Sequence, residues 1–119
     1  MPTETKEERA IRLQDDHNVL RALVKAGSNL HKPHEVEFHF IGPDKAKLEA
    51  AAEDGKKKGY RVSKIDTRTD EQARNYWFFD LIQSIILSDK NINSHTEFMT
   101  KLAKKHSVVF DGWGCPIVK

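Results

Sequence analysis

An α+β fold is predicted for this chain of 119 residues by three observations. Apolar residues recur at helical spacing in three segments and alternate, or run continuously, in four others. These segments follow one another in the order α–β–α–β–β–α–β. Glycine or proline punctuates most junctions, at Gly27, Pro33, Gly42-Pro43 and Gly59.

The first helix is predicted over residues 5–26. Thr5 with Glu8 has the form of a capping box, and Gly27 is a natural stop. Ala10, Leu13, His17, Leu20 and Val24 form its apolar stripe, with Leu23 beside them, so His17 reads as a partly buried packing residue. "SNLHKPH" is a linker. In "EVEFHFIG", Val36, Phe38 and Phe40 alternate with Glu37 and His39, which predicts a half-buried strand. Gly42-Pro43-Asp44 ends that strand and opens a second helix. Its narrow stripe of Leu48, Ala51 and Ala52 brings it close to a sheet, and Gly59 closes it.

"YRVSKI" reads as a short strand and "DTRTDEQA" as a loop. "NYWFFDLIQSII" reads as a long strand that is apolar on both faces. Trp77, Phe79, Leu81, Ile85 and Leu87 share one face; Tyr76, Phe78, Asp80, Ile82, Ser84 and Ile86 share the other. It exceeds the usual strand of about 5–6 residues, so a bulge or bend is expected in it. The last helix is predicted from about residue 93 to about residue 106, capped by Asn91 or Asn93-Ser94, with Phe98, Leu102 and Ala103 inward. "VVF" is the final strand, followed by a turn at Asp111-Gly112-Trp113-Gly114.

Without its first helix the order is βαββαβ. Right-handed crossovers fold that order into a ferredoxin-like, split-βαβ core: a four-stranded antiparallel sheet with two helices on one face. The N-terminal helix is an addition. A single domain is expected over residues 1–119, with the helix at 5–26, the core at 35–112 and a short tail at 113–119.

The hydrophobic fraction of 38% and charged fraction of 32% suit a soluble globular domain and exclude a disordered chain. No apolar stretch is long enough to cross a bilayer, and the N-terminus lacks an apolar signal core, so a cytoplasmic location is expected. The single Cys115 excludes an internal disulfide. The net charge of +2 carries no general nucleic-acid footprint. The bases are clustered, however, at Lys56, Lys57 and Lys58 and at Lys101, Lys104 and Lys105. They read as solvated helix ends favoured by the helix dipole; the alternative is a surface for RNA or an acidic partner.

Alternation places Glu37, His39 and Asp80 on the sheet face away from the crossover helices, in adjacent central strands, with Asp111 near the strand end. A carboxylate–histidine–carboxylate group suits acid–base chemistry or a metal. Nothing else supports either. There is no zinc-ligand spacing, no glycine-rich phosphate loop and no activating partner for Cys115. The group therefore reads as a polar, hydrogen-bonded face, with no cofactor and no metal expected. The same face carries Tyr76, Phe78, Ile82 and Ile86 and calls for a cover: the N-terminal helix through Leu13, Leu20 and Val24, a second copy of the chain, or a partner protein. In the closing stretch, Asp111 is suited to accept turn amides, and the two glycines permit φ > 0 on either side of Trp113. The indole then plugs the core or faces a partner.

Three stretches, "VEFHFIGPD", "AAAEDGKKKGYRV" and "TEFMTKLAKKHSVVFDGWG", in this element order, resemble the RraB family, the regulators of ribonuclease activity B, described as protein inhibitors of ribonuclease E. The resemblance covers most of residues 8–115. It implies a non-catalytic protein that binds ribonuclease E and lowers its activity, thereby affecting RNA turnover. Asp111, Trp113, Glu37, His39 and Asp80 are the residues expected to meet the partner. The best-known members carry a long acidic C-terminal tail and are strongly acidic, whereas this chain stops at Lys119 and is slightly basic. Two alternatives stand beside this reading: a homodimer-forming module or immunity-like inhibitor of another protein, and an RNA-binding module acting through the lysine clusters.

Overall fold

The computed structural model describes residues 4–119. The elements are α1 (Lys6–Lys25), β1 (His34–Gly42), α2 (Lys45–Lys57), β2 (Arg61–Val62), β3 (Asp66–Thr69), β4 (Asn75–Ile85), α3 (Asp89–His106) and β5 (Val109–Gly114). Each helix start has a side-chain cap for its otherwise unpaired N–H groups. At α1 the capping box is complete: Glu8 N–H donates to Thr5 Oγ1 at 3.1 Å and Thr5 N–H donates to Glu8 Oε1 at 2.9 Å. At α2, Asp44 accepts from Ala46 and Lys47. At α3 the cap is Ser88, which accepts from Asn91 N–H, so this helix begins at Asp89 and not near residue 93.

The strands lie in the order β2-β4-β1-β5, all antiparallel, and β3 also pairs with β4. This is the split-βαβ arrangement with one correction: the sheet holds five strands, not four. β2 and β3 share one edge of β4, from Arg61↔Ile82 to Thr69↔Asn75. The segment read as a loop therefore begins as a strand. All four residues of β3 are polar and exposed, so no apolar alternation announced it. Asp70 makes the turn into β4, accepting on Oδ1 from the N–H groups of Gln72 and Arg74.

The expected bulge also moves. β1 and β4 pair residue for residue from His34↔Ile85 to Gly42↔Trp77. The register shifts instead between β1 and β5, where Phe40 faces Phe110 and Phe38 faces Trp113. Asp111 and Gly112 together oppose His39, which is a β-bulge, and Gly112 takes φ +94°. The Asp-Gly-Trp-Gly stretch is thus the second half of β5 and not a turn beyond it. The residues that follow fold back on the α1–β1 linker. Asn29 N–H donates to Val118 O at 2.5 Å, and Val118 N–H donates to Ser28 Oγ at 3.0 Å.

The core lies between the sheet and the helices. Val36, Phe38 and Phe40 of β1 and Phe79 and Leu81 of β4 meet Leu48 and Ala51 of α2 and Ile92 and Met99 of α3. α1 packs against α3 and adds Leu20 and Leu23 to that core. It buries Asp16, Leu20 and Leu23 and leaves His17 and Val24 exposed, a rotation of the predicted stripe. His17 is accordingly a surface residue, paired with Asp89 at 3.0 Å. The opposite sheet face is not covered by α1. Val109 and Ile86 at its margins are 53% and 50% exposed, and Ile41, Phe78 and Ile82 are half-buried.

Two outcomes test this packing. A methyl group on Gly55 would stand 2.5 Å from Cδ1 of Leu81, which is fully buried. Gly55→Ala is therefore expected to cost about 1–3 kcal/mol in urea unfolding, against a helix-propensity gain of about 1 kcal/mol. Leu81→Val in the same chain should recover part of the loss. The second concerns His95, whose Nδ1 accepts the Tyr60 hydroxyl while its ring stacks on Phe38 at 5.9 Å. Burial pushes the His95 imidazole down from 6.5 and the Tyr60 phenol up to about 12. With its folded value below its unfolded one, His95 supports stability that is present at higher pH and lost as pH falls below 6.5. His95→Gln should show a shallower acid limb in pH-dependent thermal melts.

Candidate functional site

The strand period turns Glu37 and His39 outward from β1, and the unbroken β1–β4 register sets Asp80 directly opposite His39. The ring Nδ1–H of His39 donates to Asp80 Oδ1 at 2.7 Å, with the imidazole 42% exposed. Asp80 N–H in turn donates to Ser63 Oγ at 2.7 Å, and Ser63 N–H donates to Asp80 O at 3.0 Å. A polar row therefore crosses the sheet from the Asp111 bulge through His39 and Asp80 to Ser63. Glu37 stands one row away, opposite Ile82. It lies near Cys115, whose thiol is pushed up by burial first and by the Glu37 charge second. That thiol stays protonated near neutrality, which removes it as a nucleophile. Among the described residues no three His, Cys, Asp or Glu side chains are grouped to hold a metal.

The arrangement suits recognition. Glu35, Glu37, Asp66, Asp80 and Asp111 lie along this face, against Arg61 and Arg68, so it is acidic in a chain of net charge +2. Arg61 pairs with Glu35, and Arg68 lies over the Phe78 ring at 4.7 Å. Beside the polar row, Ile41, Phe78, Ile82 and Val109 supply apolar area.

Trp113 belongs to the other side. It pairs with Phe38, packs half-buried against the core, and donates its indole N–H to Asp16 Oδ1 at 3.1 Å. Asp16 is 3% exposed, and its second oxygen accepts from Thr96 Oγ1 at 2.5 Å. Arg12 donates to Thr96 Oγ1 at 2.8 Å and to Asn93 O at 3.1 Å, and holds Glu4 at 2.7 Å. Burial pushes the Asp16 carboxyl up, while Thr96, Trp113 and Arg12 oppose that shift. Sequence reasoning singled out neither Asp16 nor Thr96. The available signal was an aspartate at helical spacing within Leu13, Leu20 and Leu23. The five residues expected to meet a partner therefore fall into two groups. His39 and Asp80 touch, with Glu37 near, while Trp113 faces α1; Asp111 and His39 stand where the two surfaces meet.

The second of the two lysine clusters is drawn to acids. Lys101 pairs with Glu97, Lys104 with Glu8, and Lys105 with Asp54. Lys105 and His106 hold the Asp54 carboxyl below its usual range. Lys58 lies over the Phe98 ring at 5.7 Å, while Lys56 and Lys57 are exposed in the last turn of α2.

The family model described as regulator of ribonuclease activity B matches residues 13–115, a span that contains every site residue above except Glu4, Glu8 and Arg12. Proteins carrying that same name are similar over most of the chain. The one from Pseudoalteromonas atlantica is 34% identical over 91% of this chain and 92% of its own length. That from Alteromonas mediterranea is 29% identical over 83% of this chain and 75% of its own. That from Haemophilus influenzae is 28% identical over 84% and 65%.

The buried carboxylate gives a testable pH signature. Its folded value lies above the unfolded 3.8, so Asp16 subtracts stability as pH rises through that window. Trp113→Phe deletes a donor to the charged form. It should cost about 1.5–3 kcal/mol at pH 7 and distinctly less at pH 3, where the carboxyl is protonated, by chemical unfolding at both pH values.

Proposed function

Because the chain belongs to the regulator of ribonuclease activity B family, we propose that it restrains ribonuclease E by binding it, with no chemistry of its own. The observation that carries this reading is the family match across residues 13–115. The geometry agrees with a binding role. The sheet face away from the helices is uncovered, mixes an apolar half with a polar row, and offers no activated nucleophile. Glu37, His39, Asp80 and Asp111 are the residues assigned to the interface, with Ile41, Phe78 and Val109 as its apolar part. Trp113 serves by holding β5, and therefore the bulge that carries Asp111, against α1.

Self-association is the second reading, favoured by the apolar half of the same face. In that case a dimer would form through the sheet and ribonuclease E would have to displace it. An RNA-binding role is disfavoured, because Lys101, Lys104 and Lys105 each pair with an acid of the same chain.

Cleavage of a fluorogenic RNA by purified ribonuclease E should fall saturably as the chain is added. Glu37→Lys with Asp80→Lys should weaken that inhibition about tenfold or more, consistent with losing two interface positions of roughly 1 kcal/mol each. Circular dichroism would confirm the fold. Full ribonuclease activity at a large excess of folded wild-type chain would contradict the proposal. Sedimentation of the free chain separates the second reading: a monomer removes it.

A further inference from the structure

We infer that the groove between α1 and β5 is a docking site for a cationic protein segment, one that sets a lysine or arginine beside an apolar side chain. This rests on the reading that the chain works by binding a protein. The groove has a volume of about 460 Å3, within the range of sites that enclose side chains or small ligands. One wall is α1, where Ile11, Asp15 and Val19 follow one another a helical turn apart. The other is β5, with Phe110, Asp111 and Trp113. Ile11 is 63% exposed, an apolar side chain at the mouth of a cleft backed by two half-buried aromatic rings.

The charge of the groove selects the occupant. Glu4, Glu8, Asp15, Asp16 and Asp111 line it against Arg12 and His39. Arg12 is already committed to Glu4 and Thr96, and Glu8 to Lys104. Asp15 and Asp111 are exposed, and neither forms an ion pair among the described residues. A cation entering between them meets carboxylates that the chain has not neutralised, and phosphate meets repulsion. The bulge matters here as well. It breaks the regular spacing of the β5 edge, which blunts addition of a further strand. The segment is therefore recognised through its side chains. His39 lines the same groove from the outer sheet face, so this site and the proposed interface are continuous.

The test uses the full chain, labelled with 15N, and a ten-residue synthetic peptide alternating arginine and leucine. A glutamate–leucine peptide is the control. Saturable shifts confined to the amides of residues 11–19 and 110–113 are expected with the first peptide only. Asp15→Lys with Asp111→Lys should reduce the affinity about tenfold or more, while Glu49→Lys, an exposed acid on α2, should not. Scattered shifts, no shifts, or equal loss with Glu49→Lys would overturn the proposal. So would concentration-dependent shifts at the same amides without peptide, which would mean that a second copy fills the groove. The ribonuclease E assay keeps the two readings apart. Peptide binding in the groove without ribonuclease inhibition sinks the partner and leaves the groove. Inhibition without groove binding does the reverse.

Discussion

A single buried carboxylate organises the part of this molecule that lies beyond its sheet core. Asp16 sits where α1, α3 and β5 meet, and it accepts from Thr96 on one oxygen and from Trp113 on the other. Burying a carboxylate is costly, and these two bonds offset that cost where α1 turns this face inward. Leu20 and Leu23 follow Asp16 into the core, and His17 and Val24 go to solvent. Trp113 satisfies its indole N–H in the same bond, which makes the closing stretch of the chain part of the fold's architecture.

Two consequences follow from where α1 is held. All three helices lie on one side of the sheet, so the other side keeps its Glu37–His39–Asp80 surface open. The space left between α1 and β5 becomes a groove whose walls are acidic and whose back is aromatic. Charge is segregated accordingly. The sheet face and the groove gather carboxylates, while Lys56 and Lys57 close α2 and Lys104 and Lys105 close α3, where the dipole favours them. The weak net charge of the chain hides this division, and a partner encounters surfaces of distinct sign.

The parts of this design legible in the sequence are those written in strict periods. Val36, Phe38 and Phe40 alternate without interruption, and once they face the core, Glu37 and His39 have no choice of side. The same argument places Asp80, and the pairing of β1 with β4 turns the shared face into the hydrogen bond between His39 and Asp80. The caps at Thr5 and Asp44 were readable because capping is local chemistry. What escaped depended on partners far along the chain. β3 has no apolar residue and exists because the edge of β4 is free to pair. Asp111-Gly112 looks like a turn until β1 is found beside it. The rotation of α1 buries a residue that hydropathy counts as polar, and Thr96 and Trp113, eighty and ninety-seven positions on, supply the bonds that offset its burial.

In the proposed function the partner meets the open sheet face and the adjoining groove, and leaves the helical side free. A photo-crosslinking amino acid placed singly at Val109, at Ile11 and at Lys47 tests this with purified ribonuclease E. Val109 lies on the sheet face, Ile11 at the groove and Lys47 on the exposed side of α2. Adducts are expected from Val109 and Ile11 and none from Lys47. Adducts from Lys47 alone would place the interface on the helices and contradict this reading.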